Sequence, residues 1–104
     1  MLFYCRFTWY PGVTREMVAR RIVAQHDAGL NHPEQIKGWY TLAGGGAGFL
    51  LVESDDPRQL TAFLQPYMDL MPWDVHAAYA GEYEARIAEL RVAAQASPGS
   101  AEAV

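Results

Sequence analysis

The chain has 104 residues, 51% of them hydrophobic and 19% charged, a balance that fits one globular domain rather than two domains or a disordered chain. With 8 basic against 12 acidic residues, the net charge of −4 argues against a nucleic-acid partner and against an anionic membrane surface, both of which are gripped by clustered Lys and Arg. One cysteine, Cys5, excludes an intramolecular disulfide framework and a cysteine-rich zinc site; it fits a reducing compartment, so the cytoplasm is the expected location. Arg6 breaks the apolar start and no apolar run nears the ~20 residues of a membrane span, so neither a secretory leader nor a membrane segment is expected.

Leu2 to Tyr10 alternates with a period of two, which predicts a first strand with Phe3, Cys5, Phe7 and Trp9 on one face and Leu2, Tyr4, Arg6, Thr8 and Tyr10 on the other. Pro11-Gly12 ends it. Thr14 can cap a helix from Arg15 to about Ala28, with Glu16 at the positive end of the helix dipole and Gly29 as a left-handed stop. Val18, Ile22 and His26 recur at intervals of four and define its expected buried stripe. After the Asn31-His32-Pro33 turn, Ile36 to Ala43 and Ala47 to Glu53 read as the second and third strands, joined by glycines 44, 45, 46 and 48.

Asp56 then supplies an N-cap, and Pro57 takes the first helical position, where its missing N–H costs nothing. Leu60, Phe63, Leu64, Tyr67 and Met68 form one apolar face, although Pro66 should bend or end that helix. Trp73 to Ala80 reads as a fourth strand. Glu82 to about Ala94 reads as a third helix with Tyr83, Ile87, Leu90 and Ala94 on one stripe. Residues 1–95 thus make one domain, and Ala96 to Val104 is expected to be a disordered tail.

The order strand, helix, strand, strand, helix, strand, with an extra C-terminal helix, is that of the α+β ferredoxin-like fold: one four-stranded antiparallel sheet backed by two helices. Its second sheet face also carries large apolar side chains and has no partner within the chain. Because a two-fold dimer pairs identical surfaces and monomers rarely expose so large an apolar patch, a homodimer is expected.

Gly38-Trp39-Tyr40, the run Gly44-Gly45-Gly46-Ala47-Gly48-Phe49 leading into Leu51-Val52-Glu53, and Gln65-Pro66-Tyr67-Met68 before Trp73-Asp74-Val75 resemble a family known as domain of unknown function 3303, over about Met1 to Leu90. That family looks like a member of the dimeric α/β-barrel superfamily. The resemblance implies a barrel built from two sheets, with a pocket inside it or between each sheet and its helices. Superfamily members include cofactor-free oxygenases, lactone isomerases, dehydratases, haem-degrading enzymes and plain ligand binders, so the fold alone chooses no reaction and transfers no catalytic residue.

Strand alternation places Tyr4, Arg6 and Thr8 away from the wholly apolar set, groups Glu53 with Leu51 and Phe49, and separates His76 and Ala78 from Val75 and Ala77. In a ferredoxin-like sheet the first strand lies between the third and fourth, so Arg6, Glu53 and His76 can meet on one face and are the candidate catalytic residues. Histidine beside a carboxylate can exchange protons near neutrality, and a guanidinium can hold a carboxylate or a developing enolate oxygen. The competing reading is a structural ion pair between Arg6 and Glu53, with His76 at a wet strand end.

Tyr4, Thr8, His26, Trp39, Tyr40 and Trp73 are the candidate ligand-binding residues, the aromatics because they can stack on a planar organic ligand and because core packing is their alternative role. His26 with Asp27 and His32 has no recognised metal spacing, so a structural histidine outweighs a metal ligand; haem is suggested only by relatives of the fold. No metal and no cofactor are expected. The glycine run lacks the Lys-Ser/Thr and following helix of a phosphate loop and reads as a hairpin turn. Cys5, among Phe3 and Phe7, reads as an inert core residue. The expected function is a small-molecule binder, and with it a cofactor-free enzyme acting on a hydrophobic organic acid or polyketide-like ligand by isomerase, cyclase, dehydratase or monooxygenase chemistry. The alternative is a non-catalytic dimeric binding or scaffolding module.

Overall fold

The computed structural model describes residues 1–96; the tail expected beyond Ala96 lies outside the described residues. Four strands, β1 (Leu2–Thr8), β2 (Ile36–Thr41), β3 (Ala47–Glu53) and β4 (Trp73–Ala78), form one sheet in the order β2-β3-β1-β4. Every neighbouring pair is antiparallel. The connections β1-α1-β2 and β3-α2-β4, through α1 (Arg15–Asp27) and α2 (Pro57–Leu64), each cross one intervening strand, which is the ferredoxin-like topology. A further helix, α3 (Tyr83–Ala96), follows β4.

The element ends follow from local chemistry. Thr14 caps α1 by accepting from the Met17 N–H, Asp56 caps α2 by accepting from the Arg58 N–H, and Pro57 fills the first helical position of α2. At Pro66 the missing donor converts the expected continuation of α2 into a 3₁₀ turn over Gln65–Tyr67. Glu82 caps α3, accepting from the N–H groups of Glu84 and Ala85, and these bonds hold its carboxyl below the usual carboxylate range. Gly44, Gly45 and Gly46 all have positive φ, and the loop closes with the Leu42 N–H on the Ala47 carbonyl: a hairpin, as the sequence implied.

The period of two in β1 sorts its residues cleanly. Phe3 and Cys5 pack with Leu50 and Val52 of β3 under Leu60, Phe63 and Leu64 of α2. Phe7 packs with Val18 of α1 and with Leu70 and Met71, and its ring lies 5.3 Å from that of Trp73. An Arg21–Asp69 pair, bonded through both guanidinium nitrogens, ties α1 to the turn beyond α2, while Asn31 links the Tyr67 hydroxyl to the Ile22 carbonyl. The burial of Cys5 pushes its thiol up to about 11.

One expectation about α1 is corrected. His26 is exposed; the inward stripe runs Val18, Ile22, Gln25, and the Gln25 Oε1 atom is buried. At about 100° per residue, position 25 comes within about 20° of Val18 whereas position 26 has drifted about 80° away, so a strict four-residue count overshoots by the second turn. Strands also end earlier than alternation indicated, at Thr8, Thr41 and Ala78 rather than at Tyr10, Ala43 and Ala80. No residue of α3 is buried; its Tyr83 and Leu90 are exposed.

Candidate functional site

The face of the sheet turned away from α1 and α2 is uncovered. The pairing register fixes its layout: Tyr4 stands between Leu51 and His76, and Arg6 stands between Phe49 and Asp74. Tyr40 of β2 opposes Phe49 from the other side. Rings therefore run in a row across three strands, with Tyr40 stacked on Phe49 at 4.8 Å and Tyr4 tilted against Phe49 at 5.1 Å. Spacings of this kind contribute about 0.5–1.5 kcal/mol per pair beyond area burial. Gly38 makes room for the row, because a Cβ there would stand 2.7 Å from the Tyr40 ring.

Beside the row lies a charged group. His76 Nε2 is 2.9 Å from Asp74 Oδ1, two residues back on the same strand and therefore on the same face. Arg6 is opposite Asp74 and exposed. Thr8 shares this face one step beyond Arg6, opposite Ala47.

Of the three catalytic candidates, the fold brings Arg6 and His76 to neighbouring positions and places Glu53 at the far end of the same face. Glu53 opposes Leu2, about 13 Å along β3 from the Phe49 that faces Arg6, and its carboxylate is taken by the Met1 amine at 2.7 Å. The carboxylate next to Arg6 and His76 is Asp74 instead. The signal for it was present, since carrying the period of two one step back from His76 reaches Asp74.

The ligand-binding candidates divide as well. Tyr4, Thr8 and Tyr40 belong to the open face. Trp39 opposes Leu50 and so points to the helix side of edge strand β2, where it is 58% exposed. Trp73 opposes Phe7 and is packed into the helix-side core with its Nε1 buried. His26 lies on the outer side of α1, remote from the sheet's open face.

Two depressions occur elsewhere. One, of roughly 400 Å³, runs between α1 and the turn after α2 and is lined by Met17, Arg20, Arg21, Ala24, Asp69 and Leu70; the other is polar and lies at the ends of β2 and β3 beside Glu34, Lys37, Glu53 and Asp55. Neither includes Arg6 or His76. Among the described residues, no group of three or more His, Cys, Asp or Glu side chains is placed to hold a metal ion, and no helix is long and apolar enough to cross a membrane.

Comparison with solved structures shows the same fold in 5-chloro-2-hydroxyhydroquinone dehydrochlorinase from Burkholderia phenoliruptrix, solved in complex with 2,5-dihydroxybenzoquinone. The TM-score is 0.56 at 21% sequence identity, over 80% of this chain and 98% of that one. A search of curated proteins returned no match. The model of the family described as domain of unknown function (DUF3303) matches residues 1–90, and the chain belongs to that family.

Proposed function

We propose that the protein binds a small hydrophobic organic acid or polyketide-like ligand on the open sheet face and moves a proton on it, with a second copy of the chain closing the face into a barrel. The observation that carries this reading is the Tyr40–Phe49–Tyr4 row lying directly beside Arg6, Asp74 and His76. An aromatic row offers a flat apolar platform, a guanidinium holds an anionic oxygen, and an imidazole accepts or returns a proton near neutral pH. These are the parts of cofactor-free isomerase, cyclase or dehydratase chemistry. The fold neighbour, whose complex holds a small ring-bearing ligand, supports small-molecule binding.

The dimer belongs to the same proposal. Leu2, Tyr4, Phe49, Leu51 and Tyr40 form a contiguous apolar strip with Tyr40 still 52% exposed in the single chain, and two such faces set together enclose both rows. Covering the face also removes water from Arg6 and His76, which strengthens every charge interaction there. The cytoplasm is its proposed location, where a buried free thiol such as Cys5 stays reduced.

The second reading is a non-catalytic dimeric module, in which the Tyr40–Phe49–Tyr4 rows of two copies are themselves the side chains that fill the barrel. Titrating hydroquinone, a ring whose hydroxyls stay neutral at pH 7, into the protein while following its intrinsic fluorescence separates the two. Saturable binding that is lost in Arg6→Ala supports the ligand site; an unresponsive protein that sediments as a stable dimer establishes the filled module.

A further inference from the structure

Asp74 changes what the site can accept. Its Oδ1 stands 2.9 Å from His76 Nε2, so a positive charge formed on that ring would sit beside a carboxylate. Arg6, meanwhile, faces Asp74 directly across the β1–β4 ladder, so the cation that would attract an anionic ligand already has a carboxylate as its neighbour.

These two facts discriminate between kinds of acid. A ligand that arrives as a carboxylate brings its negative charge next to that of Asp74, the cross-strand neighbour of Arg6. A ligand that arrives neutral, as a phenol or enol, meets no such repulsion. When its O–H proton passes to a ring nitrogen of His76, the O–H bond breaks and an N–H bond forms, the oxygen keeps the electron pair beside Arg6, and the new imidazolium has the Asp74 carboxylate beside it. Charge then alternates along the group: phenolate, guanidinium, carboxylate, imidazolium.

We infer that Asp74 is the positioning residue of this face and that it selects for a planar ring bearing a neutral, ionisable hydroxyl, laid on the Tyr40–Phe49–Tyr4 row, over a ring bearing a carboxylate. This rests on the reading of the open face as a ligand site and narrows it to one substrate class. Asp74 positions His76; the groups that touch the ligand are His76, Arg6 and the rings.

The test uses two probes of one shape, 4-nitrophenol and 4-nitrobenzoate, titrated into the wild-type chain and into Asp74→Asn and Asp74→Glu. Wild type should bind 4-nitrophenol more tightly and display the yellow phenolate band at a pH where the free probe is protonated. In Asp74→Asn that band should fade while affinity for 4-nitrobenzoate rises by about fivefold, the scale of one partly exposed charge pair. Asp74→Glu should restore the band. Because Asp74 is exposed, a retained circular dichroism spectrum shows that the variants fold. Binding of both probes with no change of preference in Asp74→Asn would overturn the role of Asp74 alone. Binding of neither probe by wild type would overturn the ligand site with it.

Discussion

The two faces of one sheet both carry aromatic rings and meet opposite fates. On β1, Phe3, Cys5 and Phe7 go under the helices and are at most 8% exposed, while Tyr4 is half-buried and Arg6 and Thr8 are open on the other side. Aromatic rings occur on both faces; what stands above them differs. Under α2 the side chains interlock, and the one ionisable group among them, Cys5, is driven to a thiol pKa of about 11 and so kept neutral at physiological pH. The uncovered face holds Arg6, Asp74 and His76 at neighbouring exposed positions.

That contrast is broken most directly from the helix side. Gly48 pairs with Thr41 in the β2–β3 ladder, and a Cβ there would stand 2.1 Å from the Tyr40 carbonyl oxygen, a backbone atom that cannot swing away. Gly48→Ala should therefore destabilise by about 3 kcal/mol or more and disturb the β2 register. Leu64→Ala should cost about 2–5 kcal/mol, because Leu64 is 2% exposed and its loss leaves a cavity under α2. Thr8→Ala, on the open face, should stay within about 0.5 kcal/mol. Urea unfolding of the three variants measures all of this, and equal losses at Leu64 and Thr8 would abolish the distinction between the faces.

Much of the fold was legible because its signals are short-range. The alternation in β1, the Asp56-Pro57 start of α2, the stop at Pro66 and the glycine hairpin each depend on a few neighbouring residues, and each stands where local chemistry puts it. The site was harder to read. Alternation decides which face a residue takes but not how far along the strand its partners lie; Glu53 and Arg6 share a face and remain several residues apart because register is a property of the pairing. Trp39 and Trp73 were ligand candidates for their rings alone, whereas parity sends both to the helix side, opposite Tyr40. For His26 the failure was the fractional turn of the helix.

The open face yields a prediction of intermediate size. If a second copy covers it, Phe49→Asp should abolish self-association at low micromolar concentration, since two charges would face each other inside an apolar strip. The secondary structure should survive, because Phe49 is not part of the helix-side core. Sedimentation velocity reads the result. A wild-type chain already at monomer mass would sink the barrel, and a variant that still dimerises would move the interface elsewhere.

A smaller effect concerns Cys5. Its folded thiol titrates near 11 against an ordinary value of 9.0, so the unfolded chain gives up this proton first. The resulting stability is complete below about pH 9 and is lost as the pH rises toward 11. Thermal melts from pH 8 to 11 should show this alkaline decline, and Cys5→Ala should lessen it while lowering stability throughout. An identical decline in both proteins would assign it to another group such as Tyr67, whose phenol is also raised by burial.

The smallest expected effect lies at the opposite end of the pH scale. Arg21 holds both oxygens of Asp69, at 2.7 and 2.9 Å, and this bonding keeps the Asp69 carboxyl below the usual carboxylate range. A carboxyl depressed on folding favours the folded chain while it is ionised; that contribution is full above the ordinary aspartate range and disappears as the pH falls through the lowered value. Because Asp69 is largely in water, solvent screens the pair and the change in melting temperature should be slight. It should nonetheless be specific: Asp69→Asn ought to flatten part of the acid limb between neutrality and pH 3, leaving the portion that belongs to Glu82 at the start of α3. Raising the salt concentration should shrink the difference between wild type and variant, as expected for an exposed pair. Parallel acid limbs at low salt would mean that the tie between α1 and the turn after α2 rests on the Arg21–Pro66 carbonyl and Asn31–Tyr67 bonds, with the Asp69 charge contributing nothing.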